Sequence, residues 1–215
     1  MKAMILAAGR GERMGELTVS TPKPLLSVAG IPLIDYSLRA CFAAGILDVI
    51  INVSYLAEQI QAYVGDGSRY GLNVCYSVEK ERLETGGGIL NVLPFFEGKP
   101  FLVISSDIIT DFPLHTILES PRHLAHLIMV DNPHFHPEGD FAIQSGYATF
   151  DDLPKLTFGN IGVYHPELFS SALPGRFPLN QLLFPAISKQ LVTAAHYQGR
   201  WHNVGTPREL AVAAQ

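Results

Sequence analysis

Lys2-Ala3-Met4-Ile5-Leu6-Ala7-Ala8-Gly9-Arg10-Gly11-Glu12-Arg13-Met14 stands near the start of the chain, and the fold is read outward from it. Lys2 to Ala7 reads as a buried strand, apolar without alternation from Ala3 onward. Ala8-Gly9-Arg10-Gly11 follows at once. Glycines here let the backbone approach a ligand closely and turn its N–H groups toward anionic oxygens. In an open α/β sheet the ligand crevice lies at the carboxyl ends of the strands, where such a loop would sit. Two dinucleotide patterns fail: GxGxxG needs a glycine at position 14, which is Met14, and the Walker pattern needs Gly-Lys-Ser/Thr, which is absent.

The following residues repeat the alternation of strand and helix. Pro32 marks a helix start, Ile34, Leu38, Cys41 and Phe42 follow at helical spacing, and Gly45 stops the helix. Asp48 to Val53 reads as a second buried strand, Leu56 to Val64 as an amphipathic helix and Leu72 to Val78 as a third strand. Gly88 to Leu93 opens a short helix, and Phe101 to Ser105 is an apolar strand ending at Asp107. This order predicts an α/β fold with a parallel sheet and helices on both faces. The second half is more mixed. Strands are predicted over Leu124–Val130, Phe141–Phe150, Phe158–Tyr164 and Leu191–Tyr197, and helices over Pro166–Ser171, Leu179–Lys189 and Pro207–Ala213. With no repeat, low-complexity tract or long linker, residues 1–215 read as one domain, with a soft boundary near 110–140.

Composition narrows the function classes. An apolar fraction of 47% over 215 residues excludes intrinsic disorder. Fifteen Lys and Arg against 20 Asp and Glu give a net charge of −5, which argues against a nucleic-acid partner, since that needs a basic face. The same charge argues at first sight against polyanionic substrates. The two cysteines, Cys41 and Cys75, lack CxxC spacing and are expected to be buried free thiols in a reducing compartment. No stretch approaches the ~20 apolar residues of a membrane span, so no membrane partner is expected and the protein is expected to be cytoplasmic.

Ten residues after Arg13 comes Thr21-Pro22-Lys23-Pro24-Leu25-Leu26, in which two prolines restrict the loop around Lys23. Each cation alone reads as a solvated loop residue. Together, behind a glycine loop on the first strand, Arg13 and Lys23 read as a polyphosphate clamp. From here the resemblance is specific. LAAGRGERM followed by TPKPLL resembles the signature of the sugar-1-phosphate nucleotidylyltransferases, and Leu83-Glu84-Thr85-Gly86-Gly87-Gly88 extends it. So do Gly65–Gly71 (GDGSRYG), Pro137–Phe141 (PEGDF) and Val204–Pro207 (VGTP), over nearly the whole chain. Within the family the chain is most similar to bacterial uridylyltransferases that act on N-acetylmuramic acid 1-phosphate in cell-wall sugar recycling.

The resemblance implies a Rossmann-like nucleotidyltransferase fold with a mixed, mostly parallel sheet, divided into a nucleotide-binding half (1–110) and a sugar-binding half (111–215). It implies the reaction NTP + sugar-1-phosphate → NDP-sugar + pyrophosphate. The nucleophile is already anionic, so positioning and electrostatics outweigh base catalysis. The resemblance puts Arg13 on the β- and γ-phosphates and Lys23 near the α-phosphate, with Leu6, Ala8, Gly9 and Gly11 in the nucleotide loop. It implies Mg²⁺ as cofactor, held by Asp107 and by Asn203, which stands where the family usually has Asp. The competing, weaker reading of Asp107 is a helix N-cap, with Asp111 as the alternative ligand. His202, beside Asn203, is expected to titrate near the phosphates.

Uracil presents acceptor, donor and acceptor along its pairing edge. Backbone N–H groups near Ala8 and in Glu84-Thr85-Gly86 supply donors, and Glu79 supplies an acceptor for the ring N–H. A carboxylate suits guanine as well, so the donor count leaves GTP open. Asn160, in Asn160-Ile161-Gly162-Val163-Tyr164, and Gly139-Asp140 match the family's sugar contacts, although a turn explains Gly139-Asp140 equally. The Glu-Lys-Pro element of larger relatives is missing, with Lys155 after Pro154 nearest to it. His123-x-x-His126 and His134-x-His136 lack a third ligand at zinc spacing and read as surface residues. Three functions compete: a UTP-dependent uridylyltransferase, a GTP-dependent mannose- or heptose-type guanylyltransferase, and a nucleotide-sugar-binding protein whose metal chemistry Asn203 has weakened. The chain ends soon after VGTP, so a C-terminal β-helix and its acetyltransferase activity are not expected.

Overall fold

A computed structural model describes residues 1–118, 123–151 and 154–214. In chain order the regular elements are β1 (Lys2–Leu6), β2 (Ser27–Val28), β3 (Ile31–Pro32), α1 (Leu33–Ala43), β4 (Asp48–Val53), α2 (Ala57–Val64), β5 (Asn73–Val78), α3 (Glu84–Val92) and β6 (Phe101–Ser105). There follow β7 (Ile108–Thr110), β8 (Ala125–Val130), β9 (Ala142–Gln144), β10 (Tyr147–Thr149), β11 (Thr157–Tyr164), α4 (Asn180–Ser188), β12 (Val192–Tyr197), β13 (Trp201–Asn203) and α5 (Pro207–Ala213). Nine strands form one sheet in the order β5-β4-β1-β6-β11-β8-β12-β10-β9. The pairings leave only β10 and β11 running against the rest, so the sheet is mixed and mostly parallel.

Both faces of the sheet are covered, which is why β1 and β4 read as continuous apolar runs. Ala3 and Ile5 point into a core shared with α1 and α2, while Met4 points into a second core with α3 and α4. Helix α1 ends as the glycine at 45 suggested: Ile46 N–H donates to Cys41 O and Gly45 N–H to Phe42 O, a Schellman closure.

Several expectations are corrected. The single strand over 141–150 is a hairpin, β9 and β10, turned at Ser145-Gly146 with φ of 51° and 83°. Two positive φ values define a type I′ turn, which the apolar alternation on either side masks. Helix α3 starts at Glu84, four residues before the expected Gly88, because Gly86 to Gly88 are packed inside it. The segment over 166–171 is a 3-10 turn, Pro166–Phe169. Cys75 is exposed on the edge strand β5, while Cys41 is buried. The ribbon of β7 with β13 was not expected. Three-residue strands carry too little period to be seen, yet this one brings Asn203 opposite Ile108.

Candidate active site

The loop after β1 is shaped by Gly11, whose φ of +70° suits glycine. A Cβ there would lie 2.9 Å from Cβ of Lys23, so the absent side chain lets the Pro22-Lys23-Pro24 turn pack on the loop. Among the described residues, the N–H groups of Ala8, Gly9, Arg10 and Gly11 donate to no protein acceptor. They border a cleft of about 490 Å³ at the carboxyl ends of β1 and β6. Of the residues singled out in the sequence, Leu6, Ala8, Gly9, Gly11, Arg13, Lys23, Glu79, Glu84, Thr85 and Asp107 line it, whereas Asn160 and Asn203 do not.

Four basic residues (Arg10, Arg13, Lys23, Arg82) and four acidic ones (Glu12, Glu79, Glu84, Asp107) line this cleft. Pairing breaks the balance. Lys23 Nζ lies 2.5 Å from Asp107 Oδ2, both side chains largely buried. Glu84 turns to Arg176, which donates through Nε at 2.9 Å and lies 2.8 Å away through Nη2. Among the described residues no carboxylate pairs with Arg10, Arg13 or Arg82. Arg10 instead stacks on Tyr55 at 5.3 Å. Arg13 rests against Gly205, where a Cβ would sit 2.9 Å from its Nη2. The glycine of VGTP thus admits the guanidinium of a residue far away in sequence.

No helix follows Asp107, so it is not an N-cap; the chain turns into β7. Its carbonyl accepts from Val204 N–H at 2.9 Å, which ties β6 to the segment after β13. Asp111 lies at the far end of β7 and accepts from Tyr197 Oη, outside the cleft. Among the described residues no cluster of three His, Cys, Asp or Glu is placed to hold a metal. Mg²⁺ needs no such cluster, because it keeps waters and phosphates and takes one or two protein oxygens. Asn203 Oδ1 is buried and receives no hydrogen bond, an unsatisfied hard oxygen beside the Asp107 turn. Asp107 Oδ1 is also left without a protein donor. The donor set fits a hard divalent cation.

The other expected contacts are less direct. Gly86 is outside the lining, its α-carbon covered by the Phe177 ring. Gly139 and Asp140 are also outside it. The Asp140 carboxylate accepts from Phe158 N–H at 2.8 Å and lies 3.2 Å from His136 Nε2, the work of a turn residue. Asn160 has φ of +56° in a bulge of β11 and precedes Ile161, which pairs with Ile104 beside the cleft's Ser105. The His202 imidazole is held below its ordinary value by burial, then by Arg200. The GDGSRYG segment does not reach the cleft. Tyr70 Oη donates to Asp35 at 2.6 Å, and Arg69 stacks on Tyr63 at 4.0 Å.

Sequence reading missed Asn52, Arg82, Arg176 and Gly205. Gly205 carried a signal inside the VGTP motif, whereas Asn52 sits among apolar strand residues and shows its partners only in three dimensions.

A cleft of this kind, at the carboxyl edge of an α/β sheet and lined by free N–H groups and unpaired arginines, is built to take anionic groups such as phosphates. The chain belongs to the Nucleotidyl transferase family, which it matches over residues 2–153. It is 42% identical to the N-acetylmuramate alpha-1-phosphate uridylyltransferase of Neisseria meningitidis serogroup B, over 96% of this chain and 94% of that one. Identity to the mannose-1-phosphate guanyltransferase beta-A of Xenopus laevis is 30%, over 97% of this chain and 62% of that one. The fold matches that of a Bacillus anthracis protein described as a glucose-1-phosphate thymidylyltransferase. The TM-score is 0.89 at 21% identity, covering 100% of this chain and 94% of that one.

Proposed function

We propose that the protein transfers a uridylyl group from UTP to N-acetylmuramic acid 1-phosphate, releasing pyrophosphate. The observation that carries the reading is the meeting of the glycine loop, Arg13 and the Lys23–Asp107 pair in one cleft. The near full-length similarity to the Neisseria uridylyltransferase supports the choice of base and sugar. A phosphate oxygen of the sugar phosphate attacks the α-phosphorus of UTP. The new O–P bond forms as the bond from the α-phosphorus to the bridging oxygen of pyrophosphate breaks, and that oxygen leaves with the electron pair. No proton need be removed from the nucleophile.

Arg13 binds the β- and γ-phosphates, and the N–H groups of residues 8–11 share that charge. Lys23 holds the α-phosphate against the incoming sugar phosphate, drawing the two anions together. Asp107 and Asn203 would hold Mg²⁺, which supplies further positive charge to the phosphates when bound. Asn203 offers a neutral oxygen, so its hold is weaker than a carboxylate's. Residues 1–110 serve the nucleotide, while the second half, with Asn160 in the β11 bulge next to the strand pairing with β6, serves the sugar. The protein works in the cytoplasm.

Pyrophosphate release with four nucleoside triphosphates, each against N-acetylmuramic acid, mannose and heptose 1-phosphates, tests the reading. UTP with N-acetylmuramic acid 1-phosphate is expected to be the best pair. Release with GTP and mannose 1-phosphate instead, or none with any pair despite nucleotide binding, overturns it.

A further inference from the structure

Asn52, near the end of β4, is only 4% exposed and Glu79 only 5%. Asn52 Oδ1 accepts from Ala7 N–H at 2.9 Å, and its Nδ2 donates to Glu79 Oε1 at 2.8 Å. The other carboxylate oxygen, Oε2, accepts from Leu83 N–H at 3.0 Å. The backbone of Glu79 is clamped as well, its N–H donating to Val53 O and its carbonyl accepting from Ser54 Oγ. Helix α3 leaves room for the pair, since a Cβ on Gly88 would lie 2.8 Å from Glu79 Oε1 and 3.1 Å from Asn52 Nδ2.

The amide orientation follows from the partners. Ala7 offers a donor, so Oδ1 must face it, and Nδ2 then faces the carboxylate; the flipped amide would oppose donor to donor and acceptor to acceptor. Each oxygen of Glu79 therefore takes one protein donor and keeps a lone pair, and the carboxylate lines the cleft. What it offers a ligand is an acceptor in a fixed place. Uracil N3–H and guanine N1–H are donors and match it. Cytosine N3 and adenine N1 are acceptors and are repelled.

We infer that Asn52 is a positioning residue that sets base choice, locking Glu79 as an acceptor while pinning the start of the phosphate loop through Ala7. The inference rests on the reading of the cleft as a nucleotide site that uses UTP. Although Asn52 borders the cleft, its amide oxygen and nitrogen are engaged by Ala7 and Glu79. It acts through Glu79, so its loss should weaken selection between bases more than turnover.

The test is kcat/KM for UTP and for CTP, by pyrophosphate release, in wild type and Asn52→Ala. The expected result is a fall of about tenfold or more in the UTP:CTP ratio, carried by a rise in KM for UTP with kcat changed less. If Asn52→Ala does not fold, Asn52→Ser is measured the same way, its hydroxyl being too short to bridge Ala7 and Glu79. An unchanged ratio in a folded variant, or equal losses with both nucleotides, overturns the inference alone. A wild type that releases no pyrophosphate from UTP overturns the reading beneath it and the inference with it.

Discussion

Lys23 and Arg13 are both cleft cations, but their partners differ. Lys23 is committed to Asp107, while Arg13 lies against a glycine and meets no acid among the described residues. Removing either should cut turnover by roughly 10²–10³, as for loss of a preorganised charge-stabilising donor. Pyrophosphate release from Lys23→Ala and Arg13→Ala checks this, and a loss under tenfold would contradict it. Asn203→Asp adds a charged oxygen where Oδ1 is now unsatisfied. It is expected to lower the Mg²⁺ concentration for half-maximal turnover, and a Mg²⁺ titration identical to wild type would rule that out. At this scale the gathering of the motif residues in one cleft was legible, because glycine, arginine and lysine stand at close spacing after the first strand. Asn52 and Arg176 were not, since their roles come from partners 27 and 92 residues away.

Among the elements, β1, α1, β4, α2, β5 and β6 were read to within a residue or two, since buried strands and one-faced helices carry strong periods. The β9–β10 hairpin and the β7–β13 ribbon were lost because three-residue strands have almost no period. Helix α3 is the element where sequence and packing are most tightly joined. A Cβ on Gly87 would lie 2.1 Å from Gly175 O, so Gly87→Ala must push α3 off the 175–177 segment. A cost of about 1–3 kcal/mol is expected, seen as a lower Tm in thermal melts; an unchanged Tm would contradict that contact. The edge position of β5 makes another prediction. Cys75 should react readily with a thiol reagent in the folded protein, whereas Cys41, pushed up to about 12 by burial, should react only after unfolding.

For the whole molecule, the net charge of −5 does not oppose a phosphate substrate as it first appeared to, because the cleft is evenly balanced and its arginines are unpaired. The wider field still opposes anions. Nucleotide affinity, measured by calorimetry, should therefore respond more to Mg²⁺ than to added monovalent salt. Stability should also depend on pH. Burial holds His126 below its ordinary value of 6.5, so the unfolded chain takes up the proton first as pH falls. Its contribution is complete above about 6.5 and is lost as pH drops toward the folded-state value. Melts should show Tm falling below pH 6.5, and less steeply in His126→Gln.

The bond from Val204 to Asp107 and the contact of Gly205 with Arg13 also bear on the order of assembly. A growing chain has β5, β4, β1 and β6 in hand by residue 105, enough to begin the parallel sheet. The wall of the phosphate site arrives only with residues 203–205, nearly a hundred residues later. A ribosome stalled at about residue 200 would hold a chain with most of its sheet and an open, unbraced Arg13. Until residues 203–205 are made, Asp107 lacks the bond from Val204 and Arg13 the support of Gly205.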